Sequence, residues 1–188
     1  MALEILVLLL LILANGIFAI AEFAVISARK SRLQERAEQG EKGAATALEM
    51  ANHPSRFLST VQIGITLVGT LAGALGGATI GRELALWIGR ISILAPYSQG
   101  ISVVLVVLPI TYLTLVLGEL VPKRLAIANP ERVAILMARP MQLLAKITSP
   151  AVHLLSVSTD FVLRLLGVQP SGEPSVTEEE VKIMLEHG

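Results

Sequence analysis

Residues 91–118, ISILAPYSQGISVVLVVLPITYLTLVLG, run for twenty-eight positions without a charged side chain, and their reading decides the fold. A helix rising 1.5 Å per residue needs about 20 apolar residues to cross about 30 Å of hydrocarbon, so this stretch suffices even after Tyr97 and Gly100 are given to a turn. Phe57 to Gly81 adds twenty-five uncharged residues, and seventeen more separate Glu4 from Glu22, the apolar run continuing to Ala28 once Glu22 is tolerated. The sequence therefore predicts an all-α membrane protein with three transmembrane helices, over about residues 4–28, 57–81 and 99–121.

Composition agrees. The 188 residues are 53% apolar and only 16% charged, where soluble domains carry about a quarter charged residues. Fifteen basic against fifteen acidic residues leave no excess positive field for a nucleic acid backbone, so nucleic-acid binding is disfavoured. With no cysteine there is no disulfide, thiolate nucleophile, zinc-thiolate site or iron–sulfur cluster, and any metal must be held by oxygen or imidazole. Ala19-Ile20-Ala21 has the look of a signal-peptidase site, but no Lys or Arg precedes residue 29, which speaks against a cleaved signal.

Lysine and arginine counts set the expected orientation. The N-terminal flank has none, residues 29–56 have six, and the loop 82–100 has Arg82 and Arg90; Lys123, Arg124 and Arg132 follow the third span. The expectation is a multi-pass protein of the inner (plasma) membrane, with the N-terminus outside and the C-terminus cytoplasmic.

Residues 31–51 mix charge with helix formers, which predicts a helical pair, or a helix broken near Gly40 and Gly43, beside the membrane; a solvated connector is the alternative. In 131–166, Arg132, Arg139, Lys146, His153 and Asp160 recur every seven residues, a polar stripe on one helix face. This predicts amphipathic juxtamembrane helices rather than a fourth crossing, kinked or divided by Pro140 and Pro150. The transmembrane domain thus covers 1–168. Residues 169–188 form a Pro/Ser/Gly linker and an acidic helix from Thr177, expected to lead into a further cytoplasmic domain.

Chemistry resides in the charges within the spans. An ionisable group there costs about 2.5–3.5 kcal/mol on the insertion scale unless it is paired, protonated or facing water. Glu22 and Glu119 are the two such positions, both toward the cytoplasmic ends of their spans. Glu119 lies in Leu117-Gly-Glu-Leu-Val-Pro-Lys123, where Pro122 lacks an N–H and clashes with the Gly118 carbonyl four residues earlier. A freed carbonyl beside a carboxylate outlines a cation site; the competing reading is a helical ion pair between Glu119 and Lys123. Glu22 either reaches a cavity or marks an earlier end of the first span. In the second span Gly69, Gly73, Gly77 and Gly81 form a small-residue ridge that serves helix packing, within one protomer or a dimer, or exposes carbonyls. Thr66 and Thr70 add hydroxyls near the same depth. Oxygen-only ligands suit a hard cation such as Mg²⁺ or Ca²⁺. With neither HExxH nor GxSxG, nothing points to an enzyme.

Three motifs in order, Asn15-Gly-Ile-Phe-Ala-Ile-Ala-Glu-Phe-Ala-Val-Ile-Ser27, Thr60-Val-Gln-Ile-Gly-Ile-Thr-Leu67 and Gly118-Glu-Leu-Val-Pro-Lys123, resemble the transmembrane domain of the CorC/cyclin M (CNNM) magnesium transporters. The resemblance covers essentially the whole chain. It implies a homodimer of three-span protomers that exports Mg²⁺, coupled to Na⁺, with ATP bound only by cytoplasmic modules absent from this chain. It also implies that Glu119 and the Gly118 carbonyl belong to the ion site, with a first-span contribution between Ala19 and Glu22. Gly69 stands where some relatives carry asparagine, which moves the expectation on the second span to backbone carbonyls and to Thr66 or Thr70. The expected function is Mg²⁺ transport between the three helices. The alternative is a non-transporting membrane anchor or regulator that dimerises and senses cytoplasmic ligands.

Overall fold

The computed structural model describes residues 2–167, apart from the side chain of Arg56. The linker and acidic helix expected at 169–188 lie outside the described residues. The described part is helical throughout its regular structure: α1 (Ala2–Ser27), α2 (Lys30–Glu38), α3 (Lys42–Asn52), α4 (Pro54–Gly76), α5 (Arg82–Ile88), α6 (Ser98–Leu115), α7 (Val121–Ala128) and α8 (Pro130–Leu165). A π-helical turn, Gly77–Gly81, joins α4 to α5, and a second, Val116–Leu120, joins α6 to α7. The chain divides into two compact units, one ending at Ser149 and one beginning at Pro150.

Among the described residues three stretches are long and apolar enough to cross a bilayer: Ala2–Ser27, Phe57–Ile88 and Ala95–Ala128. The expected spans are present and run somewhat longer, and the protein is a multi-pass membrane protein. Its exposed surface follows from lipid as solvent. Leu6, Leu9, Leu10, Leu13 and Ile17 of α1 and Val103, Val104, Leu105 and Leu108 of α6 point outward, while small or polar side chains such as Asn15, Gly16, Ala19, Ala21 and Ala24 face the neighbouring helices. Between helices in lipid, close packing replaces the hydrophobic effect as the cohesive force, and small residues permit it.

α1 is the central span, packing on α4, on the second π turn and on α7. Against α4 it runs antiparallel: Leu8 and Ile12 cluster with Ala72, while Ala21, Ala24 and Val25 cluster with Phe57 and Val61. The larger of these clusters lies at the basic end of the spans, the end that carries Arg29, Lys30 and Lys123, and takes in Leu33, Ala47, Ala126, Ala134 and Ala138.

Residues 31–51 form a helical pair. Gly40, at φ +87°, makes the turn between α2 and α3 in a backbone region open chiefly to glycine. Gly43 lies inside α3, where a Cβ would stand 2.9 Å from the Ile135 carbonyl oxygen of α8. Of the two outcomes expected at Pro140 and Pro150, a kink or a division, the division is absent, since α8 is continuous through both. Both prolines are exposed, as are Leu136 and Lys146, whose carbonyls they leave without an α-helical donor, so solvent can take those carbonyls. The seven-residue stripe is exposed at all five positions, while Ala134, Ala138 and Met141 are buried on the other side. α8 is not among the helices apolar enough to cross a membrane.

Candidate functional site

Pro122 shapes the third span. Val121 gives its N–H to Val116, five residues back, which opens the π turn, and Pro122 has no N–H to give. The Gly118 carbonyl, whose α-helical donor would be Pro122, accepts instead from Asn15 Nδ2 of α1 at 3.0 Å. A side chain of one span thus supplies the hydrogen that proline withholds from another. The approach needs glycine on both helices. A Cβ on Gly118 would stand 3.1 Å from Asn15 Nδ2 and 3.2 Å from the Ile12 carbonyl; one on Gly16 would stand 3.1 Å from the Leu117 carbonyl. Asn15 is 5% exposed, and its Oδ1 is buried with no hydrogen-bond partner among the described residues. Since an amide oxygen accepts up to two hydrogen bonds, this buried atom has acceptor capacity that no described residue uses.

Glu119 follows directly. Its Oε1 accepts from Lys123 Nζ at 2.6 Å, and the same ammonium lies 4.5 Å from the centre of the Phe23 ring. The helical ion pair weighed from spacing is therefore formed. The Glu119 side chain remains 41% exposed, leaving Oε2 available.

Glu22 is half-buried. It stands seven residues beyond Asn15, so Glu119, one residue past Gly118, is offset from it by about 9 Å along the helices. By helix rise the backbones that carry the two carboxylates therefore stand at different levels. On α4, Gly64 meets the Phe18 ring, and the antiparallel run then brings Thr66 to roughly the level of Asn15. The hydrogen bonds of Thr66 and Thr70 stay within α4: Thr70 Oγ1 donates to the Thr66 carbonyl at 2.7 Å, and Gln62 Nε2 donates to Thr66 Oγ1 at 3.4 Å. Gly69, like Gly73 and Gly77, has open space where a Cβ would be. The row from Gly69 to Gly77 thus has room beside it within the protomer, whereas Gly81, the fourth of the ridge, is buried, and Gly64 and Gly76 meet Phe18 and Ile110.

Among the described residues no group of three or more His, Asp or Glu side chains converges. An ion here would depend on one carboxylate supplemented by carbonyl, amide and hydroxyl oxygens. Asn15 is the site residue that sequence reasoning missed. The signal was available: an amide within seventeen uncharged residues is costly in lipid unless it has a partner, and a proline within a span leaves a carbonyl that needs a donor.

The family model described as the cyclin M transmembrane N-terminal domain matches residues 5–188. The chain belongs to the cyclin M (CNNM) family. Relatives similar to this CNNM chain include a UPF0053 protein of Synechocystis, 50% identical over 186 residues, which cover 99% of the chain and 42% of the relative. The UPF0053 protein YrkA of Bacillus subtilis is 32% identical over 178 residues, 94% of the chain and 41% of the relative. A protein of Haemophilus influenzae named polyamine export protein is 30% identical over 187 residues, 98% of the chain and 42% of the relative. The chain spans less than half the length of these CNNM relatives.

Proposed function

We propose that this CNNM membrane domain transports Mg²⁺, exporting it in exchange for Na⁺, through a site at the Asn15–Gly118 crossing. The observation that carries the reading is the carbonyl–carboxylate pair Gly118–Glu119, set on a π turn within a membrane span and flanked by the unpartnered Asn15 Oδ1. The donor set fits a hard cation. The Gly118 carbonyl has a second lone pair, Glu119 has a second oxygen, and the ligands are all oxygen, as Mg²⁺ requires. Thr66, Thr70 and the Gly69 backbone contribute from α4, and Glu22 acts about 9 Å toward the basic end as a way station for the ion.

In this reading Lys123 is a tethered cation. With no ion bound it neutralises Glu119, limiting the cost of an intramembrane carboxylate, and the Phe23 ring face gives its ammonium an alternative contact once an incoming ion takes the carboxylate. Movement of the helices about the site then supplies alternating access. The protein sits in the plasma membrane with the basic end in the cytoplasm. Protomers pair as a homodimer through the open Gly69–Gly73–Gly77 row, and ATP acts only through cytoplasmic modules outside this chain.

Titration calorimetry of the purified protein with Mg²⁺, Ca²⁺ and Na⁺ tests the site. Mg²⁺ heat should disappear in Glu119→Gln while the protein stays folded; unchanged Mg²⁺ binding in that variant rejects the assignment. A second reading follows from the Haemophilus relative's name. Two carboxylates at different levels suit an extended polycation, and spermidine in the same titration separates the two cargoes. If Glu119→Gln and Glu22→Gln alter the binding of none of these cations, the chain is an anchor or regulator instead.

A further inference from the structure

At the basic end of the spans, away from the Asn15–Gly118 crossing, a cavity of about 410 Å³ opens between α3, α4 and α8. Glu49, Met50 and His53 line it from the end of α3 and the turn after it, Phe57 from the start of α4, and Gln142 and Lys146 from α8. Phe57 is 5% exposed and begins the second span, so the inner wall stands where hydrocarbon begins. Glu49, His53 and Lys146 are exposed at the mouth. The helices that carry them are fixed from beneath: Ala47 and Ala51 of α3 and Ala138 and Met141 of α8 are buried in one cluster. Yet among the described residues neither Glu49 nor Lys146 belongs to an ion pair, although they line the same cavity with opposite charges.

An acidic and a basic side chain, carried on packed helices and not closing on each other, complement a zwitterion. At this depth, with an apolar inner wall, the zwitterion at hand is a phospholipid headgroup. Phosphoethanolamine matches the donors and acceptors best, because its ammonium carries N–H groups that a carboxylate can accept, whereas the quaternary nitrogen of phosphocholine has none. We propose that the cavity binds the phosphoethanolamine headgroup of a membrane lipid. Lys146 and His53 donate to the phosphate, Glu49 accepts from the ammonium, and Met50 and Phe57 meet the first methylenes of the acyl chains.

Native mass spectrometry of the purified chain, offered phosphatidylethanolamine, phosphatidylcholine and phosphatidylglycerol in equal amounts, tests this without any variant. Phosphatidylethanolamine should be retained in preference to the other two, and equal retention of all three overturns the proposal. Glu49→Gln should lower phosphatidylethanolamine retention by about tenfold, to the phosphatidylcholine level, while leaving phosphatidylglycerol unchanged. Lys146→Gln should weaken all three and Lys146→Arg should restore them; retention unaffected by both Glu49→Gln and Lys146→Gln overturns the proposal. Soluble glycerophosphoethanolamine should compete poorly; if it binds as tightly as the lipid, the occupant is a free zwitterion and the lipid assignment fails. Both substituted side chains are exposed, so a melting curve matching the parent protein's will show that the fold is intact.

Discussion

Asn15 joins two spans through one carboxamide, and its value lies in what would be left behind without it. Asn15→Leu removes the donor to a buried carbonyl whose α-helical partner is proline, so unfolding in detergent should become easier by about 1–3 kcal/mol. An unchanged melting curve would mean that the Gly118 carbonyl has found another donor. Glycines at the helix crossings separate by what a methyl group would strike. Gly118→Ala meets backbone, the Ile12 carbonyl, and should cost about 1–3 kcal/mol, whereas Gly64→Ala meets the Phe18 ring, which can turn aside, and should cost less. Thermal unfolding of the two variants side by side checks the order. These contacts were not legible in the chain. Asn15 and Gly118 lie 103 residues apart, and local pattern does not encode which faces of two spans meet. The Glu119–Lys123 pair was legible, because four residues on a helix place both ends on one side.

Among the elements, α4 and α8 show how far periodicity reaches. Steps of seven in α8 marked the exposed stripe from Arg132 to Asp160, and the structure places every one of those residues outward. Its prolines carry the expectation of a kink or a division because each removes one hydrogen bond, yet one bond among the many of a 36-residue helix does not end it where the residue that loses its donor is exposed. The π turns left only an indirect trace. An extra residue in a helical turn changes no periodic pattern that eleven or so residues can reveal, although Gly118 and Pro122 marked where the third span deviates. On α4 the four-residue glycine row was plain, but not which side of it would be occupied. Since Gly73 has open space around it within the protomer, Gly73→Ile should leave the helix content of the protomer unaltered. The same change should convert dimer to monomer in cross-linking or light scattering if that row is the seam between copies; a dimer that persists assigns the seam elsewhere.

For the whole molecule, the three crossings were the most legible feature, since charge-free length is a count rather than an inference about packing. The absence of cysteine makes their orientation directly measurable. Gln39→Cys, in the turn between α2 and α3, and Ser92→Cys, between α5 and α6, are both at exposed positions. An impermeant maleimide should reach Ser92→Cys in intact cells and Gln39→Cys only after the membrane is opened. Labelling of both from the same side would contradict a three-span path.

The Asn15 link also sets a timetable. α1 leaves the ribosome first, but the carbonyl that its amide serves is made 103 residues later. At about 5–20 residues per second, that is a delay of about 5–20 s. Throughout that interval the newborn helix holds a primary amide whose N–H has not yet met the Gly118 carbonyl, so α1 should leave the insertion machinery more slowly than its Asn15→Leu variant, a difference that timed cross-linking of nascent chains would read.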